Sequence, residues 1–327
     1  MKRLSLLAVL VGGSILVWVI GHAGLSALMS QFRSLRIALP IVLGLSFCRL
    51  QLQTTAWLKV LRKEGSIVAR GDLLGIRLAS QSMGYLTTLG ALISEPMKVK
   101  LLQGSIDKAA TATLVDDAVY WTTSALSGLI GCACIVPFTA HTGRFVASLL
   151  MILLFFGFLV FISCRMPALS LICHRLKDSG PPWLRRAANI EKAVRDYRIK
   201  QPALVRKMFA IDLLCQVLLT LEVVAVLWSL RLPIHPTAAL SIDGMTRITK
   251  MVSCWIPARL GADEAGAISA FGVAGLMPIL GLTLALTRRS RDLLWAVCGI
   301  SWLAWRSRNP SQVKDQNHVL NHREVSI

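Results

Sequence analysis

The stretch LLCQVLLTLEVVAVLWSL, residues 213–230, decides the fold class. It is apolar apart from Gln216 and Glu222, and about 17–25 such residues cross a hydrocarbon core as a helix. Residues 4–20 and 145–164 are runs of the same kind. In hydrocarbon every backbone N–H and C=O must be paired within the structure, which leaves helices or closed barrels. These runs are continuous rather than alternating, so they read as helices. Composition agrees: 54% of the residues are hydrophobic with Gly left out of the count, against about 45–50% with Gly included in soluble domains. The expected fold is an all-α polytopic membrane protein of about 7–8 helices.

Lys2 and Arg3, the apolar run after them and the small residues Ala23, Gly24 and Ser26 can also be read as a secretory signal. The run is longer than a usual signal core and further spans follow, so an uncleaved first helix is the simpler reading. The 36 basic and 17 acidic residues leave a net charge of +19. In a soluble chain that would suggest nucleic acid. Here it fits cytoplasmic loops beside anionic headgroups. No zinc-finger, RNP or basic-zipper pattern points to a nucleic-acid partner. Most of the eight cysteines lie in or beside apolar segments, where they act as small core residues. Cys132 and Cys134 are too close for a usual zinc pair and have no His nearby, so neither a metal nor a cofactor is expected.

Basic residues place the loops. Lys2 and Arg3, the group Lys59, Arg62, Lys63 and Arg70, and the basic stretch 165–207 are assigned to the cytoplasm. The N-terminus is then cytoplasmic, in the cell (inner) membrane. Spans are expected at 4–20, 37–58, 117–137, 145–164 and 208–230, with an external turn at 137–144. Parity then requires residues 72–116 to return to the side on which they started. Residues 72–96 carry Arg77, Gln81, Ser82, Thr87, Thr88 and Glu95, include Gly84 and Gly90, and end at a Pro. A lipid-facing helix would not carry that load, so the segment reads as a re-entrant hairpin or a helix pair buried in the bundle. Residues 234–257, with Asp243, Arg247 and Lys250, form a second polar dip from the opposite face. Two such dips suggest an inverted repeat, although the residues of the two halves show none.

Residues 278–305 are either two spans with an Arg cluster between them or one long helix carrying Arg288 inside the bundle. Arg306 and Arg308 favour the second version. Residues 1–306 are expected to form the membrane domain and 307–327 a disordered polar tail. The stretch 167–200 suits an interfacial amphipathic helix or a solvated charged one.

A charge at membrane depth costs at least ~2.5–3.5 kcal/mol at mid-helix, which makes each one a functional candidate. The candidates are Arg49, Arg77, Glu95, Asp116, Asp117, Asp212, Glu222, Arg247, Lys250, Arg259, Asp263, Glu264 and Arg288. For Arg49, Asp212 and Glu222 a structural pairing is the favoured reading. For Glu95 beside Lys98, and Arg259 beside Glu264, function is favoured, because a broken stretch meets a basic residue there. No hydrolase triad, nucleotide loop or paired His motif is present, so an enzyme is not expected. His174 and His235 read as interfacial.

Two stretches carry a family resemblance. One is Leu260, Gly261, Ala262, Asp263, Glu264, with the apolar run to Leu276, Pro278 and the Arg288 region. The other is Ser94, Glu95, Pro96, Met97, Lys98 through Leu102, with residues 109–120. With these the chain resembles the lysylphosphatidylglycerol synthase transmembrane family, also called the flippase-like membrane domain family, over most of residues 1–305. It departs from the family pattern where a double Gly is missing before Glu95, where Arg259 replaces a Gly and Asp263 an Arg, and where Asp116 and Asp117 lack a neighbouring Arg. No lysyl-transfer domain follows.

The resemblance and the paired dips imply a lipid flippase or transporter for a polar or anionic headgroup, linked to hopanoid, polyprenyl-lipid or glycolipid biosynthesis. The expected substrate-binding residues are Glu95, Lys98, Asp116, Arg247, Lys250, Arg259, Glu264 and Arg288, converging on one cavity with a net positive lining. The expected partners are membrane lipids and lipid-biosynthetic enzymes. The alternative is a non-transporting membrane partner of lipid- or glycan-biosynthetic enzymes.

Overall fold

The computed structural model describes residues 37–66, 68–87, 90–102, 105–134, 192, 194–197, 199–232, 235–253, 259 and 261–308. The expected spans at 4–20 and 145–164, the turn 137–144, most of the basic stretch 165–207, His174 and the tail after 308 lie outside the described residues.

Eight helices of twelve residues or more lie among the described residues, in two groups of four. The first group is α1 (Ala38–Lys63, 26 residues), α2 (Arg70–Leu86, 17), α3 (Gly90–Leu101, 12) and α4 (Ile106–Ala133, 28). The second is α5 (Pro202–Ser229, 28), α6 (Pro236–Val252, 17), α7 (Ala262–Val273, 12) and α8 (Leu280–Arg308, 29). Both groups therefore run long, short, shorter, long. Local chemistry sets several boundaries. Pro202 and Pro236 open α5 and α6 in the first turn, where the missing N–H is no loss. Gly261 precedes α7 at φ 79°, a conformation that favours glycine, and donates its N–H to Glu264 Oε2 at 2.9 Å.

The groups pack on each other through matching pairs: α1 on α5, α2 on α8 and α4 on α6. Exchanging the groups maps this set onto itself. The α1/α5 pair is antiparallel. Val42, early in α1, shares a core cluster with Val223, Val226 and Leu227, late in α5. Leu58, Val60 and Leu61, late in α1, share another with Leu204 and Met208, early in α5. The α2/α8 pair is antiparallel too, with Gly75 against Trp302 and the Ser82 hydroxyl donating to the Trp295 carbonyl at 3.4 Å. The α4/α6 pair closes on glycine: a Cβ on Gly244 would stand 2.9 Å from Gly131 Cα. Small residues let two helices approach this closely.

Several boundaries differ from those read in the sequence. The segment expected to span 117–137 is helical from Ile106 to Ala133, because Asp107 and Lys108 at its exposed start cost nothing in a helix. The 37–58 and 208–230 spans extend to Lys63 and back to Pro202. The first dip, 72–96, falls on two helices, α2 and α3, and the described part of the second, 234–257, falls on α6. The C-terminal Arg cluster lies within one helix, the second of the two versions, which continues two residues past the expected boundary at 306.

Among the described residues, α5 is long and apolar enough to cross a membrane, with a mean hydropathy of 2.2 over its best window. Its two faces are reversed relative to a soluble helix. Asp212, Gln216 and Glu222 are each 1% exposed, whereas Leu214, Val217 and Trp228 are 48–49% exposed. The spacing explains the split: 212, 216 and 220 share one helical stripe, and 214, 217, 221 and 228 lie on another. The same holds on α4, where Asp116 is buried and Leu126 and Ile130 are exposed, and on α8, where Arg291 is buried and Val297 and Trp305 are exposed.

Basic residues gather at one end of the bundle. The antiparallel pairing brings together the end of α1, the starts of α2 and α5, and the end of α8. Exposed Lys59, Arg62, Lys63, Arg70, Lys200, Arg206, Lys207 and Arg308 therefore share that end.

Candidate functional site

Two clusters of buried charge fill the interior, one in each group of helices. In the first, Arg77 of α2 donates Nη2 to Asp116 Oδ2 of α4 at 2.7 Å. The Arg77 guanidinium lies 5.6 Å from the Trp57 ring centroid, a cation–π contact that substitutes in part for lost water. One residue along α4, Asp117 accepts from Lys98 Nζ of α3 at 3.1 Å, and Lys98 also donates to Glu95 at 2.8 Å. Lys98 is thus held by two carboxylates, one turn away and one helix away.

The second cluster repeats this plan with the signs exchanged. Asp243 is the eighth residue of α6, as Arg77 is of α2. It accepts from Arg288 Nη2 of α8 at 2.9 Å, and from Arg247 Nε of its own helix at 2.9 Å. Arg289, one residue along α8, pairs with Glu264 of α7 at 2.6 Å. So each fourth helix carries two adjacent like charges. The first binds the second helix of its own group and the next binds the third. Around this core Arg288 Nη1 donates to Thr246 Oγ1 at 2.8 Å, Arg291 pairs with Glu222 and Asp292, and Arg259 holds Asp263 at 3.1 Å and Asp292 at 3.6 Å. The Arg259 guanidinium also stands 5.3 Å from the ring of Tyr85, at the end of α2, so the first group reaches the second cluster.

Helix α5 links the clusters with one inward stripe. Asp212 faces Arg77 and Asp116. Gln216 meets Thr123 of α4 at 3.3 Å and also accepts from Arg247 of α6. Thr220 donates to Asp243 at 3.0 Å, and Glu222 receives Arg291 and Arg288. Such pairs hold their charges only as pairs: removing one partner of a buried pair leaves the other uncompensated, at a cost of about 3–5 kcal/mol.

Of the residues expected from sequence, the structure places Glu95, Lys98 and Asp116 in the first cluster and Arg247, Lys250, Arg259, Glu264 and Arg288 in the second. Glu95 and Lys98 pair as their spacing suggests. Glu264 pairs with Arg289 rather than with Arg259, which turns to Asp263. Arg259 binds Asp263, and Arg77 and Lys98 supply the cations that Asp116 and Asp117 lack nearby in sequence. Asp212, read as structural, sits on the stripe that joins the clusters, and Glu222, read likewise, is buried on the same helix in the second cluster. Asp243, Arg289, Arg291 and Asp292 were legible only as charges interrupting apolar runs. Basic residues are in excess in one of the two clusters only. In the second cluster Arg247, Lys250, Arg259, Arg288, Arg289 and Arg291 face Glu222, Asp243, Asp263, Glu264 and Asp292. In the first, Arg49, Arg77 and Lys98 face Glu95, Asp116, Asp117 and Asp212.

Lys250 differs from its neighbours. It makes no hydrogen bond or ion pair among the described residues, although Arg288, Asp263, Asp292 and Arg259 surround it electrostatically. No metal-ligating group of three or more His, Cys, Asp or Glu occurs among the described residues. No family model, curated protein or solved structure matches the chain.

Proposed function

We propose that this chain is a polytopic membrane protein that carries the polar head of an anionic lipid through its interior, as a flippase or lipid transporter of the flippase-like membrane domain kind. The observation that carries the reading is the reversed polarity of α5: charged and amide side chains at 1% exposure back to back with Leu, Val and Trp near half exposure. In water this arrangement leaves large apolar side chains uncovered and takes charges out of solvent, both unfavourable. In a bilayer both preferences invert, and interior charges mark a path for polar cargo.

Two further features support it. The antiparallel, matching groups of four helices are what an inverted repeat about a membrane-plane axis requires, and such repeats place the cargo site between the halves. The basic end of the bundle then lies in the cytoplasm by the positive-inside rule, which agrees with a cytoplasmic N-terminus in an inner membrane. An anionic headgroup fits Lys250, whose ammonium has no hydrogen-bond or ion-pair partner among the described residues, on the side where basic residues outnumber acidic ones by one. The lipid tails would stay in the bilayer while the head moves past the polar stripe of α5.

The test is leaflet transfer of fluorescent phosphatidylglycerol by the purified chain in phosphatidylcholine vesicles. Wild type should move the lipid to the other leaflet faster than empty vesicles do. Lys250→Ala should lose transfer while remaining folded, and Lys250→Arg should keep it. No transfer by wild type would leave the second reading, a non-transporting partner of lipid-biosynthetic enzymes. That reading is favoured by the exposed basic residues Lys200, Arg206 and Lys207 at the start of α5, which offer an acidic partner a docking face.

A further inference from the structure

Asp212 stands apart from the other interior acids. It is 1% exposed, on the inward stripe of α5, yet it makes no hydrogen bond or ion pair among the described residues, and its Oδ2 is buried without a partner. The charged groups facing it are Arg77 from α2 and Asp116 from α4, with Asp117 beyond Arg77. Arg49 of α1 lies beside Cys215, one turn along from Asp212. Arg247 of α6 and Arg288 of α8 face Gln216 and Glu222, further along the same helix. Arg77 gives Nη2 to Asp116 and leaves Nε and Nη1 buried with nothing to bind.

A carboxylate taken out of water without a partner has two ways to lose the penalty. It binds a proton, or it draws in a cation. The cation at hand is Arg77, already committed to Asp116. Two carboxylates thus feel one guanidinium that binds only Asp116, and the one without it is the one that takes the proton. Arg77 has free N–H groups with which to change partners.

We propose that Asp212 and Asp116 form a proton-carrying pair around Arg77, with the proton on Asp212 in the arrangement seen here, and that proton uptake and release at Asp212 drive lipid movement. The arginine moves to Asp212 when that carboxyl ionises, and Asp116 takes a proton in its place. Because α2, α4 and α5 each contribute one member, the exchange repacks the contact between the two groups of helices. The coupling part rests on the transport reading; the proton site does not.

Infrared spectra of the purified full chain in lipid read the site without any transport. Wild type should show a protonated carboxyl C=O band across neutral pH that disappears in Asp212→Asn and persists in Asp212→Glu. Its absence from wild type, or its persistence in Asp212→Asn, overturns the proton site. In vesicles, a gradient of one pH unit biases a one-proton cycle about tenfold. The ratio of phosphatidylglycerol transfer with and without the gradient should change accordingly in wild type and fall to one in Asp212→Asn. A ratio in the variant equal to that of wild type overturns the coupling. Wild-type vesicles that move no lipid defeat the transport reading and the coupling with it, while the infrared bands still decide the proton site.

Discussion

Arg77 and Asp243 hold the same position in corresponding helices and carry opposite charges, and each binds a partner on the last long helix of its own group: Arg77 to Asp116 at 2.7 Å, Asp243 to Arg288 at 2.9 Å. Two groups of helices matched in order and length thus carry opposite charges at corresponding places. Neither cluster is neutral alone: the first has one surplus acid and the second one surplus base, and the two together balance. The electrostatic difference between the halves is small and directional, with one surplus basic residue in the second cluster.

The pairing in the first half predicts a reciprocal rescue. Arg77→Ala should destabilise the protein by about 3–5 kcal/mol, since it leaves Asp116 without its cation, and Asp116→Ala by less, since Arg77 can turn to Asp212. The exchanged pair, Arg77→Asp with Asp116→Arg, reproduces the order of signs found at Asp243 and Arg288 and should recover most of the loss. Thermal unfolding in detergent measures all three, and a double variant no better than its singles would defeat the pairing as the source of stability.

Reversed polarity predicts the effect of a charge on the outer face. Val217 is 48% exposed at the middle of α5. In a lipid-facing position Val217→Arg should cost about 2.5–3.5 kcal/mol of insertion free energy, whereas on a soluble surface it would change stability by within about 0.5 kcal/mol. A sharp drop in membrane-inserted protein is expected. A Val217→Arg variant that is abundant and soluble without detergent would remove the membrane reading.

The close approach of α4 and α6 predicts opposite outcomes for two glycines. Gly244→Ala places a methyl 2.9 Å from Gly131 Cα and should destabilise by about 1–3 kcal/mol. Gly44→Ala in α1 meets nothing within 4 Å and should stabilise by up to about 1 kcal/mol through helix propensity. Melting temperatures moving in the same direction for both would contradict the packing.

The basic end of the bundle predicts topology. Cysteines introduced at Lys63 and Lys207 should react with an impermeant thiol reagent only after the cells are opened. One introduced at Met277, which is 69% exposed, should react in intact cells. Labelling of the first two in intact cells would turn the bundle over.

The sequence by itself determined the all-α class that the described residues show. Continuous apolar runs, polar interruptions at Arg77 and Asp243 and the clustering of Lys and Arg are one-dimensional properties, and the solvent reads them one segment at a time. It also marked nearly every interior charge, since a charge in an apolar run is conspicuous wherever it goes. It could not say which charges meet. Glu264 chooses Arg289 over Arg259, five residues away, because a helix turns its neighbours to different faces and only packing decides which face meets another chain segment. The likeness of the two halves was legible in the paired polar dips but not in their residues, for a related reason. It resides in helix lengths and antiparallel contacts, which tolerate any side chains that fit, and at the central pair the signs are reversed. Only the tertiary structure, by laying α1 on α5 and α2 on α8, brought Arg77 to Asp116 and left Asp212 and Lys250 without hydrogen-bond or ion-pair partners among the described residues.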